Sequence, residues 1–502
     1  MPWIVAGAAV CGLVLAAGIL VVFASAINSK VRSRAQAALA SRFDADVEFQ
    51  NLDVGVFPSF RLTASGMTLR RGADTDLPPL VKASSIRAES SVIGLLLGHV
   101  RRVKLEGLLL SVPLGRANRP QASGSKKRFP VVIDELASDD AHLELLRTKS
   151  EKPPLEFYIH RLRMKSVDLD KPAPFHATLS NPAPRGEIEA TGQFGPWDAE
   201  EPSATPVSGT YEFSRADLST FSGLGGNLSS QGKFKGILRR IDVDGDTDTP
   251  GFLLTLGAHP MPLRTTFHAT VDGTNGNTWL HAVDGKLKNT PILANGEITK
   301  AQDEQGRRIL LDGVVNAGRL EDVLELAVKS SPPPMSGLIS LRSRIDLPPG
   351  DGHVIRRLRL DGDFDIRSAR FSSLNIREKL QSLSRKAQGK PHDENAGSAI
   401  SNLRGHFEMK GAVATFSSLT FEVEGAALQL AGRYQIEDEQ MDFHGKLLLD
   451  AKLSQTVTGA KAFFLKALDP LFHKKGGGSE IPIRISGSRS NPSFGLDVGR
   501  KF

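Results

Sequence analysis

The sequence predicts a mainly β protein: one N-terminal transmembrane helix, then an elongated, curved antiparallel β-sheet or groove with a few short helices. Three observations predict it. Residues 3–27, WIVAGAAVCGLVLAAGILVVFASAI, carry no charged side chain, and about 20 apolar residues in a helix cross a bilayer core of roughly 30 Å. Beyond them, polar and apolar residues alternate with period two in one short segment after another. Gly (48) and Pro (29) are plentiful, which is the punctuation of strands and turns rather than of long helices.

Residues 1–29 read as a retained membrane anchor. A cleaved signal peptide is the alternative at Ala24-Ser25-Ala26, but the apolar run exceeds the usual signal core of about 7–15 residues and no Lys or Arg precedes it. The single cysteine, Cys11, lies inside this run and reads as a small apolar residue, leaving the body without disulfides. Lys30, Arg32 and Arg34 follow at once. The positive-inside rule alone would keep the body cytoplasmic, although long domains translocate regardless of flanking charge.

A first β unit spans 30–114. Lys30–Phe43 has helical spacing. Phe60–Leu69 alternates, with a turn expected at Ser65-Gly66, and Ile86–Glu89 and Arg102–Val112 follow the same rule. Residues 115–128 (GRANRPQASGSKKR) form a polar, basic linker. A middle β-rich region runs over 129–346, with strands expected at Val207–Phe213, Gly232–Ile241, Leu263–Val271 and Trp279–Leu287. Within it, 317–329 place Leu320, Val323, Leu324 and Ala327 on one helical face. A C-terminal β region, 353–502, shows the clearest alternation, over Leu403–Tyr434, with a helix predicted at 456–474. Its apolar stripe includes Phe463, Phe464 and Leu468, which either pack on the sheet or touch a membrane.

Enzyme signatures are missing from the sequence. The twelve His form no His-x-His or His-Glu-x-x-His, no Gly-x-Ser-x-Gly occurs, and no body cysteine offers a thiolate. No catalytic residue, metal site or cofactor is therefore assigned. Asp242, Asp244, Asp246 and Asp248 alternate as a loose cation site would, but Thr247 and Leu253 stand where a calcium loop needs Gly and Glu. The competing reading is a solvated strand end turning at Asp244-Gly245. Net charge is +7 without a basic, aromatic-laced stripe, so nucleic acid is not an expected partner.

The order of these parts resembles the AsmA-like family of bacterial envelope proteins. The anchor precedes Phe57–Leu69 and the run Val92–Leu109. A mid-chain pair follows at Leu228–Leu238 and Ile241–Phe252. The most characteristic block comes last, from Phe371-Ser-Ser-Leu-Asn-Ile376 through Ile481-Pro-Ile-Arg-Ile-Ser-Gly487 to Pro492-Ser-Phe-Gly495. The resemblance implies a single-pass bacterial inner-membrane protein with a periplasmic β-rich body, working in outer-membrane biogenesis or lipid homeostasis. It supplies no catalytic residues. TamB-like and chorein-like relatives are regarded as β-grooves that conduct phospholipid. On that expectation the lipid-groove candidates are Phe407, Met409, Val413, Leu419, Phe421, Val423, Leu428 and Leu430. The alternative is an assembly factor that holds another envelope protein by strand addition.

Overall fold

The computed structural model describes residues 46–497 apart from 56–58, 71–78, 80, 92, 95–96, 115–131, 148–154, 169, 183, 199–200, 256, 258, 301–305, 351, 394–397, 457–476 and 489–490. The expected anchor, the 115–128 linker and, except for Thr456, the helix expected at 456–474 with Phe463, Phe464 and Leu468 lie outside them. Among the described residues no helix is long and apolar enough to cross a membrane.

The chain is mainly β with few helices, as the alternation predicts. It forms two compact units. Unit 1 holds β1 (Asp46–Glu48), β2 (Asn51–Gly55), β3 (Phe60–Arg70), β4 (Val81–Ser90), β5 (His99–Leu114), β6 (Val132–Arg147), β7 (Leu155–Val167), β8 (Ala173–Pro182), β9 (Arg185–Phe194) and β10 (Pro206–Asp217). The division falls among β11 (Leu224–Gly225), β12 (Asn227–Ile237), β13 (Arg240–Leu254), β14 (Met261–Val271) and β15 (Thr278–Leu287). Unit 2 holds β16 (Thr290–Thr299), β17 (Arg308–Arg319), α1 (Leu320–Ala327), β18 (Met335–Leu347), α2 (Val354–Arg357), β19 (Arg359–Phe371), α3 (Leu374–Ala387), β20 (Ser401–Lys410), β21 (Val413–Val423), β22 (Ala426–Gln435), β23 (Gln440–Leu449), β24 (Ser479–Ser488) and β25 (Pro492–Leu496).

Three local expectations change. Gly66 does not turn the chain: it sits at φ +60° inside β3, between the pairs Ser65–Ser85 and Met67–Ala83, a bulge that only a residue free of Cβ strain enters cheaply. The strand expected at Gly232–Ile241 is a hairpin, broken by a turn at Leu238-Arg239. The turn expected at Asp244-Gly245 is absent because β13 runs straight through it.

In unit 1 the strands pair in sequence order from β3 to β10, and all these ladders are antiparallel except β5–β6, which is parallel. Cross-strand register puts Leu62, Ala88, Val103, Leu136 and Met164 in one line, with Ala64, Ile86 and Leu105 beside it. Every one of these is buried, Leu62, Val103, Leu105 and Leu136 at 0 % exposure. One alternating face has become a closed core.

Unit 2 is an antiparallel meander from β16 to β25. α1 packs Val323 and Leu324 on a cluster formed by Val315, Leu320, Ile339, Ile366 and Ala369. Its Asp322 is 1 % exposed and accepts hydrogen bonds from the Asn289 N–H and the Thr290 hydroxyl, both at 3.0 Å. A carboxylate in the first helical turn also meets the positive end of the helix dipole. Asp322→Ala removes the acceptor of the buried Thr290 hydroxyl and of the Asn289 N–H and is expected to cost about 1–3 kcal/mol, readable as a lowered thermal midpoint of the full chain. The sequence reading missed α3. Its signals are Ser373, whose hydroxyl caps the Ile376 N–H, and the helical spacing of Leu380, Leu383 and Ala387, which pack on Val423, Ala426 and Leu449.

Candidate functional site

The two faces of the unit 2 meander differ sharply in chemistry. On one face, register aligns Ile339, Ile366, Leu403, Phe421, Leu428, Leu447 and Ile481 across seven consecutive strands. Every member of this row is Leu, Ile or Phe. A second row runs Gly362, Phe407, Phe416, Gly432, Phe443, Ile485 and Phe494. Its rings meet one another and Phe364: Phe364–Phe407 lie 6.2 Å apart on adjacent strands, and Phe364–Phe416 at 6.4 Å and Phe416–Phe443 at 5.7 Å between centroids each reach across an intervening strand. The glycines make room for the rings. A Cβ on Gly432 would stand 2.8 Å from Phe443 Cδ1, and one on Gly405 3.2 Å from the Phe364 ring. The spacing Gly-x-Phe/Tyr recurs at Gly362-Asp-Phe364, Gly405-His-Phe407 and Gly432-Arg-Tyr434, and would have marked Phe364 and Phe407 in the sequence, though not Phe416 or Phe443.

Much of this face is only half-buried, including Leu403, Phe407, Phe416, Leu419, Phe421, Leu428, Leu447 and Ile481. α1 and α3 pack at the end where β17, β19, β21 and β23 finish. Of the sequence candidates, Phe407, Leu419, Phe421 and Leu428 lie on this face half-buried, while Met409, Val423 and Leu430 lie on it buried. Val413 does not join them. A bulge between Phe416 and Leu419 shifts the register, so Val413 pairs with Lys410 on the opposite face and Phe416 takes the apolar position. Phe364, Phe416 and Phe443 were absent from the sequence candidates.

The opposite face is a charged ladder. Arg404 reaches Glu422 at 2.8 Å, Arg484 reaches Asp442 at 3.0 Å and Lys446 reaches Glu480 at 2.6 Å. Arg308 donates two 2.8 Å hydrogen bonds to the carboxylate of Asp346. That hydrogen bonding holds the Asp346 carboxyl below its ordinary value, outweighing the desolvation that would raise it. A depressed carboxyl contributes stability that is complete above the unfolded value of about 3.9 and is lost as pH falls through the folded value. The gap in thermal midpoint between wild type and Asp346→Asn is therefore expected to shrink between about pH 7 and about pH 3.

Two further constellations are accounted for by pairing. Asp361, His406 and Glu408 bring ligand atoms within 4.8 Å of one another across β19 and β20. Both carboxylates are exposed, and His406 Nδ1 already faces Asp363 at 3.0 Å. In unit 1, His160 Nε2 lies 2.7 Å from Ser180 Oγ, which donates to Glu187 at 2.9 Å. Ser180 and Glu187 both face the same ring nitrogen, so the ring cannot relay a proton between a nucleophile and an acid as a triad does. The aspartates of β13 are likewise matched: Asp242 accepts from Thr270 at 2.9 Å and Asp244 faces His268 at 2.8 Å in unit 1, and Asp248 accepts from Arg264 at 3.3 Å in unit 2. They form ladder contacts rather than a cation loop.

Comparison of the chain with protein-family models, curated proteins and solved structures finds no significant match.

Proposed function

We propose that the apolar face of unit 2 is the floor of a groove that holds phospholipid acyl chains, in an AsmA-like, membrane-anchored envelope protein that binds or transfers lipid in support of outer-membrane biogenesis. The half-burial of this face carries the reading. An equivalent row in unit 1 is sealed to 0–9 % exposure, whereas in unit 2 Leu403, Phe407, Phe416, Phe421, Leu428, Leu447 and Ile481 stay partly open to solvent. Exposed contiguous apolar surface usually marks a binding site. Ile339 and Ile366 are buried under α1, but the half-buried members of the row, Leu403 to Ile481, span five strands, which at a spacing of about 4.8 Å is about 19 Å. One leaflet's acyl chains fill about 15 Å, half of a bilayer core, so the row has room for a lipid tail. The uncharged run of residues 3–27 supplies the anchor, in the inner membrane with a periplasmic body.

The test is site-specific photocrosslinking of the full chain in cells whose phospholipid carries labelled phosphorus. A benzophenone amino acid at position 407 lies on the apolar face, and one at exposed position 415 lies on the charged face. Labelled lipid attached at 407 and not at 415 is the expected result. No label at 407, or equal label at both, overturns the reading.

A second reading has its own observation. β25 pairs only with β24 among the described residues, and its Phe494 and Leu496 are 73 % and 58 % exposed. An open, apolar edge strand is a template for strand addition. A benzophenone at 494 that captures one defined envelope protein, with 407 silent, would favour an assembly factor instead.

A further inference from the structure

We infer that one end of unit 2, where β18 and β20 begin and β19 ends in α3, is a docking surface for an anionic phospholipid bilayer. Twelve large apolar side chains are exposed among the described residues, and four of them, Leu338, Leu374, Ile376 and Ile400, gather at this end. Register explains the gathering. Leu338 pairs with Arg367 near the start of β18, and Ser401, next to Ile400, pairs with Ala369 near the end of β19. α3 then begins at Leu374, three residues beyond that strand. Ser398 holds the lead-in to β20 against α3 through the Ser384 hydroxyl at 3.1 Å, so Ile400 and α3 share this end of the unit, and Leu338 stands at the same end on the face that carries Arg367.

The charge around them is basic on balance, with Glu378 on α3 and Glu321, which accepts from the Gly337 N–H at 3.2 Å, as acids beside it. Arg370, Lys379 and Lys386 are exposed, and none has a carboxylate within ion-pair distance among the described residues. α3 carries Arg377, Lys379, Arg385 and Lys386 against the single acid Glu378. Its inner side, Leu380, Leu383 and Ala387, is already used in packing, so the free cations and the overhanging Leu374 and Ile376 are left for a partner. Leu and Ile tips ringed by unpaired Lys and Arg fit the interface of an anionic bilayer, where the tips enter the acyl boundary and the cations meet phosphate. A protein partner would need carboxylates to match them and is the competing outcome. The inference stands apart from the occupancy of the apolar groove.

The experiment places the full chain in nanodiscs of neutral lipid, which accommodates residues 3–27, and adds sucrose-loaded vesicles of either neutral phosphatidylcholine or a phosphatidylcholine–phosphatidylglycerol mixture. Anionic vesicles are expected to pellet the protein-bearing nanodiscs at least about fivefold more than neutral vesicles or empty discs. Leu374→Glu/Ile376→Glu and, separately, Lys379→Glu/Lys386→Glu are expected to return pelleting to the neutral level. Lys233→Glu/Lys235→Glu, the same charge change in unit 1, is expected to leave it unchanged. All six side chains are exposed, and an unchanged thermal midpoint verifies the fold of each variant. Equal pelleting by both vesicle types, an undiminished Leu374→Glu/Ile376→Glu variant, or an equal loss in the unit 1 control overturns the inference. Lipid photocrosslinking at position 407 in the Leu374→Glu/Ile376→Glu variant separates loss of docking from loss of the groove.

Discussion

Phe416→Asp is expected to lower phospholipid crosslinking at position 407 by about 10–100-fold, while Thr415→Asp, one residue away, leaves it unchanged. Phe416 pairs with Phe407 on one side and with Gly432 on the other, at the centre of the aromatic row. Taking a Phe side chain out of apolar contact forfeits about 1.5–3 kcal/mol, and each 1.4 kcal/mol is about tenfold in occupancy. The new carboxylate would also have to lie against acyl chains without a partner, which opposes binding further. Thr415 points to the charged face opposite Arg433, where an added carboxylate meets a cation. Folding of both variants is checked by the thermal midpoint. Equal losses for 415 and 416 would mean that the two faces are not functionally distinct, and the groove would be abandoned.

The second large effect separates the two units. Leu105→Ala is expected to cost about 2–5 kcal/mol, and Leu428→Ala no more than about half of that. Leu105 is 0 % exposed and pairs with Ile86 and Ser138 inside the closed core of unit 1. Truncating it leaves a cavity that close-packed neighbours fill only in part. Leu428 is half-buried between Phe421 and Leu447. Solvent or a bound tail replaces part of what its truncation removes. Denaturant titration of the full chain, followed by probes placed in each unit, measures both values. Equal costs would show that the unit 2 face is as closed as that of unit 1, leaving no room for a lipid.

Much of the late meander was legible because its signal is local. Alternation over Leu403–Met409 and Leu428–Leu430 places those side chains on one face whatever the partner strands do, since successive residues in a strand point oppositely. The same rule failed at Val413. Extrapolating the period back from Leu419 ignores the extra residue inserted between Phe416 and Leu419, and one inserted residue flips every side chain behind it. Where that bulge sits is decided by pairing with β20 and β22, which no window of β21 alone contains. α3 was overlooked for a related reason. Its own side chains are largely polar, and its apolar stripe becomes meaningful only against Val423, Ala426 and Leu449 from other strands.

By itself the sequence determined a mainly β chain, the period-two faces of its strands and the apolar composition of one of them, because propensity and alternation act between near neighbours. Tertiary structure alone decided that β5 and β6 run parallel, that β13 extends straight through Asp244-Gly245, and that the aspartates there are matched by cross-strand partners. It also decided which apolar face is sealed and which stays half-open. Leu62 and Leu428 are both apolar residues on alternating strands. One is 0 % exposed and the other half-buried, because burial depends on what distant segments bring over a face.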